Sequence, residues 1–335
     1  MKQIQITHFG IDGLTLVDTS EPEPGPRDVL VRWRAWSLNY LDLLIVEGSY
    51  QPNLPLPFTP LSDAAGEVVA VGNDVTAWKP GDRVVSHLFI NWQDGPATPE
   101  MRSATIGSAL PGLLAEFSVL PERALVPLPS YLSYAEGATL TIAGVTAWNA
   151  LFDQPLLPPG STVLLEGTGG VSIFGLQLAH AAGFHTIITS SSDEKLARAK
   201  ALGADATVNY RTTPAWANEV RRLTGDRGVD FVLDIGGAST LNESFRATRM
   251  GGTVALVGML GGTKLEIDVL NLFRSLLHIR GIGVGSRASF LALLRSLQAR
   301  QIHPVIDREF PINDTAAAFR HLKAAAHFGK IVITL

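Results

Sequence analysis

The sequence predicts an α/β fold: a β-rich N-terminal region followed by a doubly wound parallel sheet with its crossover helices. Three observations carry this expectation. Residues 1 to about 122 hold short apolar or alternating runs broken by Gly and Pro, the pattern of strands joined by turns. From about 130 onward, strand-like apolar runs alternate with helix-length segments, which implies parallel strands with helices on both faces. The chain is long enough, at 335 residues with 46% apolar and 17% charged, to bury about two cores.

The same composition narrows the partners. A net charge of −4 with no Lys/Arg cluster argues against nucleic acid, because neutralising phosphates needs a basic face. No apolar run approaches a membrane span, and Met1 to Ile6 reads as a strand rather than a signal peptide, so a cytoplasmic protein is expected. The absence of cysteine excludes disulfides, thiolate catalysis and cysteine-ligated zinc.

Along the chain, Asp28 to Ala35 and Gly66 to Gly72 read as strands, and Pro80-Gly81-Asp82 as a turn feeding the strand at Arg83. Residues 91 to 112, rich in Gly, Pro and Ser, read as a long loop of the kind that carries function. A helix is expected near 134 to 152. Strands then follow at 162, 206–210, 229–234, 253–257 and 279–284. The tail has a strand at 305–310, a helix over 315–326 capped by Asp314, and a last strand over 330–334.

The most informative stretch joins the strand at Val163 to the following helix through Gly167, Thr168, Gly169, Gly170 and Val171. Glycines there let the backbone turn tightly and approach a pyrophosphate, and the helix start offers N–H groups and a positive dipole end. Ser172 stands where the usual fingerprint has its third glycine, yet the strand–turn–helix–strand context supports a dinucleotide site. The next strand ends in Thr189, Ser190, Ser191 and Ser192, where an NAD site usually places a carboxylate for the ribose hydroxyl. Three hydroxyls, Lys195, and Tyr210 with Arg211 at the end of the third strand suit a 2′-phosphate, so NADP(H) is the expected cofactor. Asp193 and Glu194 stand against that preference unless they serve as helix-start residues; Lys195 and Arg211 can also be read as solvated charges. Gly258 and Met259, and Gly283 and Val284, are placed at carboxyl ends of later strands, where open α/β sheets bind ligands.

Ser37 to Asp42, Ala64 to Gly72, Trp78 to Val84, Ala143 to Leu151, the turn at 167, Ala199 to Asp205 and Phe328 to Val332 together resemble the medium-chain dehydrogenase/reductase family, and in particular its zinc-free quinone oxidoreductases and enoyl reductases. The resemblance implies a GroES-like β domain, residues 1–122 with 300–335, and a Rossmann domain, residues 123–299, with nicotinamide and substrate in the cleft between them. It places Asn39, Tyr40 and Thr146 beside the nicotinamide and Tyr50 and Trp92 on the substrate side. Tyr40 can equally be an aromatic packed at a strand end, Trp92 a loop-packing residue and Lys330 either a cofactor contact or a solvated lysine. The resemblance further suggests a homodimer through the edge of the Rossmann sheet.

At the three positions where the family's alcohol dehydrogenases hold catalytic zinc, this chain has Asn39, Ser62 and Ile142, which lack the N/S donors that zinc requires; no metal is expected. The eight histidines are scattered without ligand spacing and read as surface or packing residues. Without a Lewis acid, hydride addition to a conjugated enone, enal or quinone is favoured over oxidation of an unactivated alcohol. The expected activity is NADPH-dependent reduction of a small activated substrate, with Tyr40 or Asn39 donating to the substrate oxygen. A dehydrogenase of alcohols or aldehydes and a non-catalytic NADPH-binding protein are the alternatives.

Overall fold

The computed structural model describes residues 1–153 and 156–335. It divides into two compact units, Met1–Val145 with Ser286–Leu335, and Thr146–Gly285.

The first unit is built on a seven-stranded sheet. Its path runs Ile306–Pro311, Lys330–Thr334, Asp28–Ser37, Asp63–Val71, Arg83–Ser86 and Leu125–Pro127, with Phe117–Pro121 also paired to Asp28–Ser37. All pairings are antiparallel except that of Ile306–Pro311 with Lys330–Thr334, and the C-terminal strand completes the sheet by pairing with Asp28–Ser37, whereas Lys2–Ile6 forms a separate hairpin with Leu14–Asp18. Trp33, Trp36, Phe319 and Ile331 are buried in its core. The Trp36 indole N–H donates to the Leu113 carbonyl, which satisfies the one polar atom of that side chain.

The second unit is a six-stranded, all-parallel sheet in the order Ala206–Asn209, His185–Ser190, Thr162–Glu166, Val229–Asp234, Thr248–Leu256, His278–Gly281. This order reverses direction between Thr162–Glu166 and Val229–Asp234, the switch point where doubly wound sheets open a ligand crevice at their carboxyl edge. Val163, Leu164, Leu165, Ile187, Phe231 and Val232 are buried on both faces, as an apolar run in a parallel strand requires. Among the described residues no helix is long and apolar enough to cross a membrane.

Several local expectations are corrected. Residues 123–145 and 286–299 belong to the compact unit of the first sheet, because the helix Tyr134–Ala138 packs on strands 28–37 and 63–71 and Arg287 binds the Leu125 carbonyl through Nε and the Trp92 carbonyl through its backbone N–H. The helix over 134–152 is broken into α turns at Tyr134–Ala138 and Val145–Trp148 with π turns at Leu140–Gly144 and Asn149–Asp153. Within the first π turn the Ile142 N–H donates to the Asp63 carboxylate, a side chain inserted into the helical ladder. The long loop is ordered by a 3₁₀ turn at Pro99–Ala104 and by burial of Met101 and Ile106. Asp314 gives no side-chain cap, since a 3₁₀ turn leads directly into a helix that ends at Lys323. The last sheet strand is His278–Gly281, so Gly283 and Val284 follow it rather than end it.

Candidate active site and nucleotide-binding turn

In the second unit, Thr162–Glu166 ends at Gly167, whose φ of +72° is open to glycine at little cost. The helix Gly170–Ala181 begins three residues later, with Gly169 at its N-cap and no side chain capping it, so its first-turn N–H groups are left without a side-chain partner and could take an anion. Ser172 Oγ donates to the Glu166 carbonyl at 2.6 Å, so the residue at the third fingerprint position ties the helix to the strand end. The Gly167 N–H also reaches Thr189 Oγ1 at 3.4 Å, which links the turn to the neighbouring strand.

The structure brings the serine run and the end of the third strand to one corner. Tyr210 N–H donates to the Ser190 carbonyl, Ser192 N–H to Ser190 Oγ, and Lys195 N–H to Ser192 Oγ, which makes Ser192 the N-cap of Asp193–Ala201. Tyr210 is exposed. Asp193 Oδ1 accepts from Asn209 Nδ2 at 2.7 Å, so an acid stands at this corner beside the hydroxyls. Gly258 follows the strand Thr248–Leu256, and an added Cβ there would lie 2.1 Å from the Ile235 carbonyl oxygen; Met259 beyond it is exposed. Asn149 Nδ2 donates to the Val284 carbonyl at 2.6 Å, which holds Val284 in a left-handed conformation with φ +56°. Thr146, at the start of this unit, is buried.

In the first unit, Asn39 is the N-cap of Tyr40–Val46, a short helix anchored by burial of Leu43, Ile45 and Val46. The helix positions a cluster of buried polar groups. Lys330 is only 3% exposed, and its Nζ donates to the Leu38 carbonyl at 2.6 Å and to Asn39 Oδ1 at 2.7 Å; it is therefore not a solvated lysine. Because an ammonium only donates, this contact fixes the orientation of the Asn39 amide. Asp42 Oδ2 accepts the Asn39 N–H at 2.7 Å, and Asp63 accepts from Ser62 Oγ at 3.1 Å and from Ile142 N–H. Burial, reinforced by the charge of Asp63, raises the Asp42 carboxyl to about 7. Burial likewise raises Asp63 and lowers Lys330, each opposed by the attraction between the two.

Tyr40 lies at the first position of the helix and is 40% exposed, and Tyr50 is similarly exposed. Trp92 is held within its loop: its indole N–H donates to the Gly95 carbonyl at 2.9 Å and its ring lies 6.0 Å from that of Phe89. His87 is buried against the Trp92 carbonyl, and burial lowers its pKa to about 4.

The residues at the family's zinc positions do not fit the metal. Ile142 has no donor, the Ser62 hydroxyl donates to Asp63, and Asn39 offers an amide oxygen already bound by an ammonium whose charge would repel a dication. Among the described residues, no group of three or more His, Cys, Asp or Glu side chains could hold a metal.

Sequence reasoning missed the buried polar residues Asp42 and Asp63 near Lys330, and Glu166, Asp234 and Ser244, which are hydrogen-bonded together behind the glycine turn. For four of them the signal was a carboxylate within or at the end of an otherwise apolar run, as in Leu41-Asp42-Leu43 and Leu165-Glu166-Gly167. Such groups are almost never fully buried unless they are paired.

The comparisons with known proteins agree with this geometry. Residues 25–130 match the family model of the alcohol dehydrogenase GroES-like domain, and residues 170–299 that of the zinc-binding dehydrogenase. A zinc-type alcohol dehydrogenase-like protein of Schizosaccharomyces pombe is 40% identical over 98% of this chain and 98% of its own length. The quinone oxidoreductase of Rattus norvegicus is 28% identical over 100% and 98% of the two chains. Among solved structures, an NAD-dependent alcohol dehydrogenase is similar with a TM-score of 0.92 at 35% identity, covering 100% of both chains. A mycobacterial protein complexed with NADPH has a TM-score of 0.83 at 28% identity, also over 100% of both. A GroES-like domain, a Rossmann-type sheet and relatives that are alcohol dehydrogenases and quinone oxidoreductases place this chain in the medium-chain dehydrogenase/reductase family of oxidoreductases.

Proposed function

We propose that the chain is an NADPH-dependent reductase that directs hydride onto an activated C=C bond or a quinone without a catalytic zinc. The observation that carries this reading is the replacement of the metal-ligand set by Asn39, Ser62 and Ile142, with the Lys330 ammonium bound to Asn39. An electrophilic substrate needs no Lewis acid, only a hydrogen-bond donor for the oxygen on which charge develops. Tyr40 supplies that donor from its exposed position at the helix start. Asn39, its amide oriented by Lys330, lines the same helix end, and Thr146, Tyr50 and Trp92 complete the candidate set.

The nucleotide would be held by the N–H groups of Gly167, Thr168, Gly169, Gly170 and Val171 at the helix start, and by backbone groups of Gly258, Met259, Gly283 and Val284. Ser190, Ser191, Ser192, Lys195, Tyr210 and Arg211 would favour the 2′-phosphate. When bound, the nicotinamide supplies the hydride. A second reading, use of NADH, is favoured by Asp193, whose carboxylate is bonded to Asn209 beside the serine run and could accept from a ribose hydroxyl. Titration with both nucleotides separates them: tighter NADPH binding is expected, and equal affinity would refute the role given to the serine run. A panel of enones, quinones and alcohols tests the reaction, with NADPH oxidised by the first two. Turnover confined to alcohols and abolished by a chelator would overturn the zinc-free reading.

The strand His278–Gly281 leaves one sheet edge unpaired, flanked by the exposed side chains of Phe273, Leu276 and Ile279. A homodimer formed along that edge would cover them. Light scattering should give twice the 35.8 kDa chain mass.

A further inference from the structure

Beneath the glycine turn lies a second buried acidic cluster. Ser244 Oγ is 2.5 Å from Glu166 Oε1, 2.7 Å from Asp234 Oδ2 and 3.2 Å from the Thr240 carbonyl. Three acceptors surround one hydroxyl, and a hydroxyl carries one proton. With both carboxyls ionised, at least one carboxylate oxygen would face the serine's lone pairs at hydrogen-bond distance. One carboxyl must therefore bring a proton.

The surroundings identify which. Asp234 accepts the Gly237 N–H at 2.8 Å and is contacted by Thr240 Oγ1 at 2.9 Å through both oxygens, an environment suited to the anion. Glu166 is 3% exposed, and its Oε2 is buried without a hydrogen-bond partner among the described residues, which suits the neutral acid. Burial and the neighbouring Asp234 charge raise Glu166 to about 8.

The charged groups of the surrounding elements are engaged elsewhere. Asp230 pairs with Arg227 and Arg249 at the start of its strand, Glu243 pairs with Arg246 on the exposed side of the helix Leu241–Ala247, and His185 at the start of its strand pairs with Asp205. His180 lies in the last turn of the helix Gly170–Ala181, far along it from Glu166.

We propose that Glu166 and Asp234 share one carboxyl proton through Ser244, with Glu166 donating to the Ser244 hydroxyl and that hydroxyl donating its own proton to Asp234, and that this clasp sets the affinity of the nucleotide site. The elements it joins are those that would cradle the nucleotide. Glu166 precedes Gly167 and receives Ser172 on its carbonyl; Asp234 holds Gly237 through its carboxylate, and its carbonyl accepts the N–H groups of Val257 and Gly258. Loss of the proton leaves two adjacent buried carboxylates that repel one another and drive the two turns apart. These three side chains are positioning residues, and the proposal rests on the nucleotide reading above.

The test combines nucleotide titration with infrared spectroscopy of the nucleotide-free protein. For the wild-type chain, NADPH affinity should fall about fivefold between about pH 8 and about pH 9, as binding selects the protonated clasp. In Glu166→Gln, whose amide donates at every pH, affinity should change by less than about twofold over that interval. The carbonyl stretch of a protonated carboxylic acid should be present in the wild type at about pH 7 and be weaker in Glu166→Gln. Ser244→Ala, which deletes the bridging hydroxyl, should bind NADPH weakly at about pH 7 and show a flattened pH profile.

Identical pH profiles in wild type and Glu166→Gln, no difference in the carboxylic-acid band, or unchanged binding by Ser244→Ala would each overturn the shared proton. Absence of saturable binding of both NADPH and NADH to the wild type at about pH 7 would overturn the nucleotide reading and this proposal together. The infrared band distinguishes the two failures because it needs no nucleotide.

Discussion

Replacing Lys330 with Met should destabilise the first unit strongly, and more so as pH rises. The substitution removes the donor to the Leu38 carbonyl and to Asn39 Oδ1 and leaves Asp42 and Asp63 buried without their cation. Breaking a buried pair by removing one partner costs about 3–5 kcal/mol, which for a unit of this size lowers Tm by about 10 °C. The two aspartates can relieve part of that cost by binding protons. In the wild type, Asp42 is already raised from 3.8 to about 7, so the folded state holds a proton that the unfolded chain has released. Stability therefore declines as pH rises from the ordinary carboxylate range through about 7, then levels. Loss of Lys330 raises both carboxyls further, so the variant falls more steeply and over a wider range, by about 1.4 kcal/mol per pH unit for each extra proton retained. Denaturant melts of wild type and Lys330→Met at about pH 5.5 and about pH 8 measure the effect, and Asp63→Asn added to the variant should recover about half of the loss at the higher pH. A penalty under about 1 kcal/mol, or one that does not change with pH, would refute the reasoning.

Three further outcomes are expected. Tyr40→Phe should lower kcat on an enone by about a hundredfold to a thousandfold with little change in nucleotide affinity, the loss typical of an oxyanion donor; wild-type turnover in this variant and in Asn39→Ala, whose amide is buried against Lys330, removes both residues from the reaction, as measured by NADPH consumption. Gly258→Ala places a methyl against the Ile235 carbonyl and should cost about 3 kcal/mol or more in stability, read by thermal melts, along with weaker nucleotide binding. Phe273→Asp should yield monomers by light scattering if the exposed sheet edge is the dimer contact, and an unchanged mass would move the interface elsewhere.

Much of the fold could be read from local pattern. The glycine turn, the crossover helix and the parallel strands follow from periodicity and from where glycine is needed, because strand and helix preferences there agree with burial. The helix around 134–152 was misread for a tertiary reason: Asp63, distant in sequence, takes the Ile142 N–H and disrupts the regular ladder, and local propensity carries no trace of that contact. The same holds for the site. Asn39 and Tyr40 stand out at a helix start, whereas their connection to Lys330 spans 291 residues for Asn39 and appears only when the C-terminal strand completes the sheet. Glu166 and Ser244 are likewise joined across 78 residues by packing alone.

The serine corner has a consequence for how such a protein can be re-engineered. Ser192 caps the start of a helix with its own hydroxyl, and Ser190 is buried with its oxygen bound by the backbone two residues on, so replacing either sacrifices about 1 kcal/mol of folding energy whatever it does for ligand choice. Ser191 is partly exposed between them and makes no such side-chain hydrogen bond among the described residues. Adaptive change in coenzyme preference should thus enter through that middle hydroxyl first, where mutational paths run without loss of structural integrity.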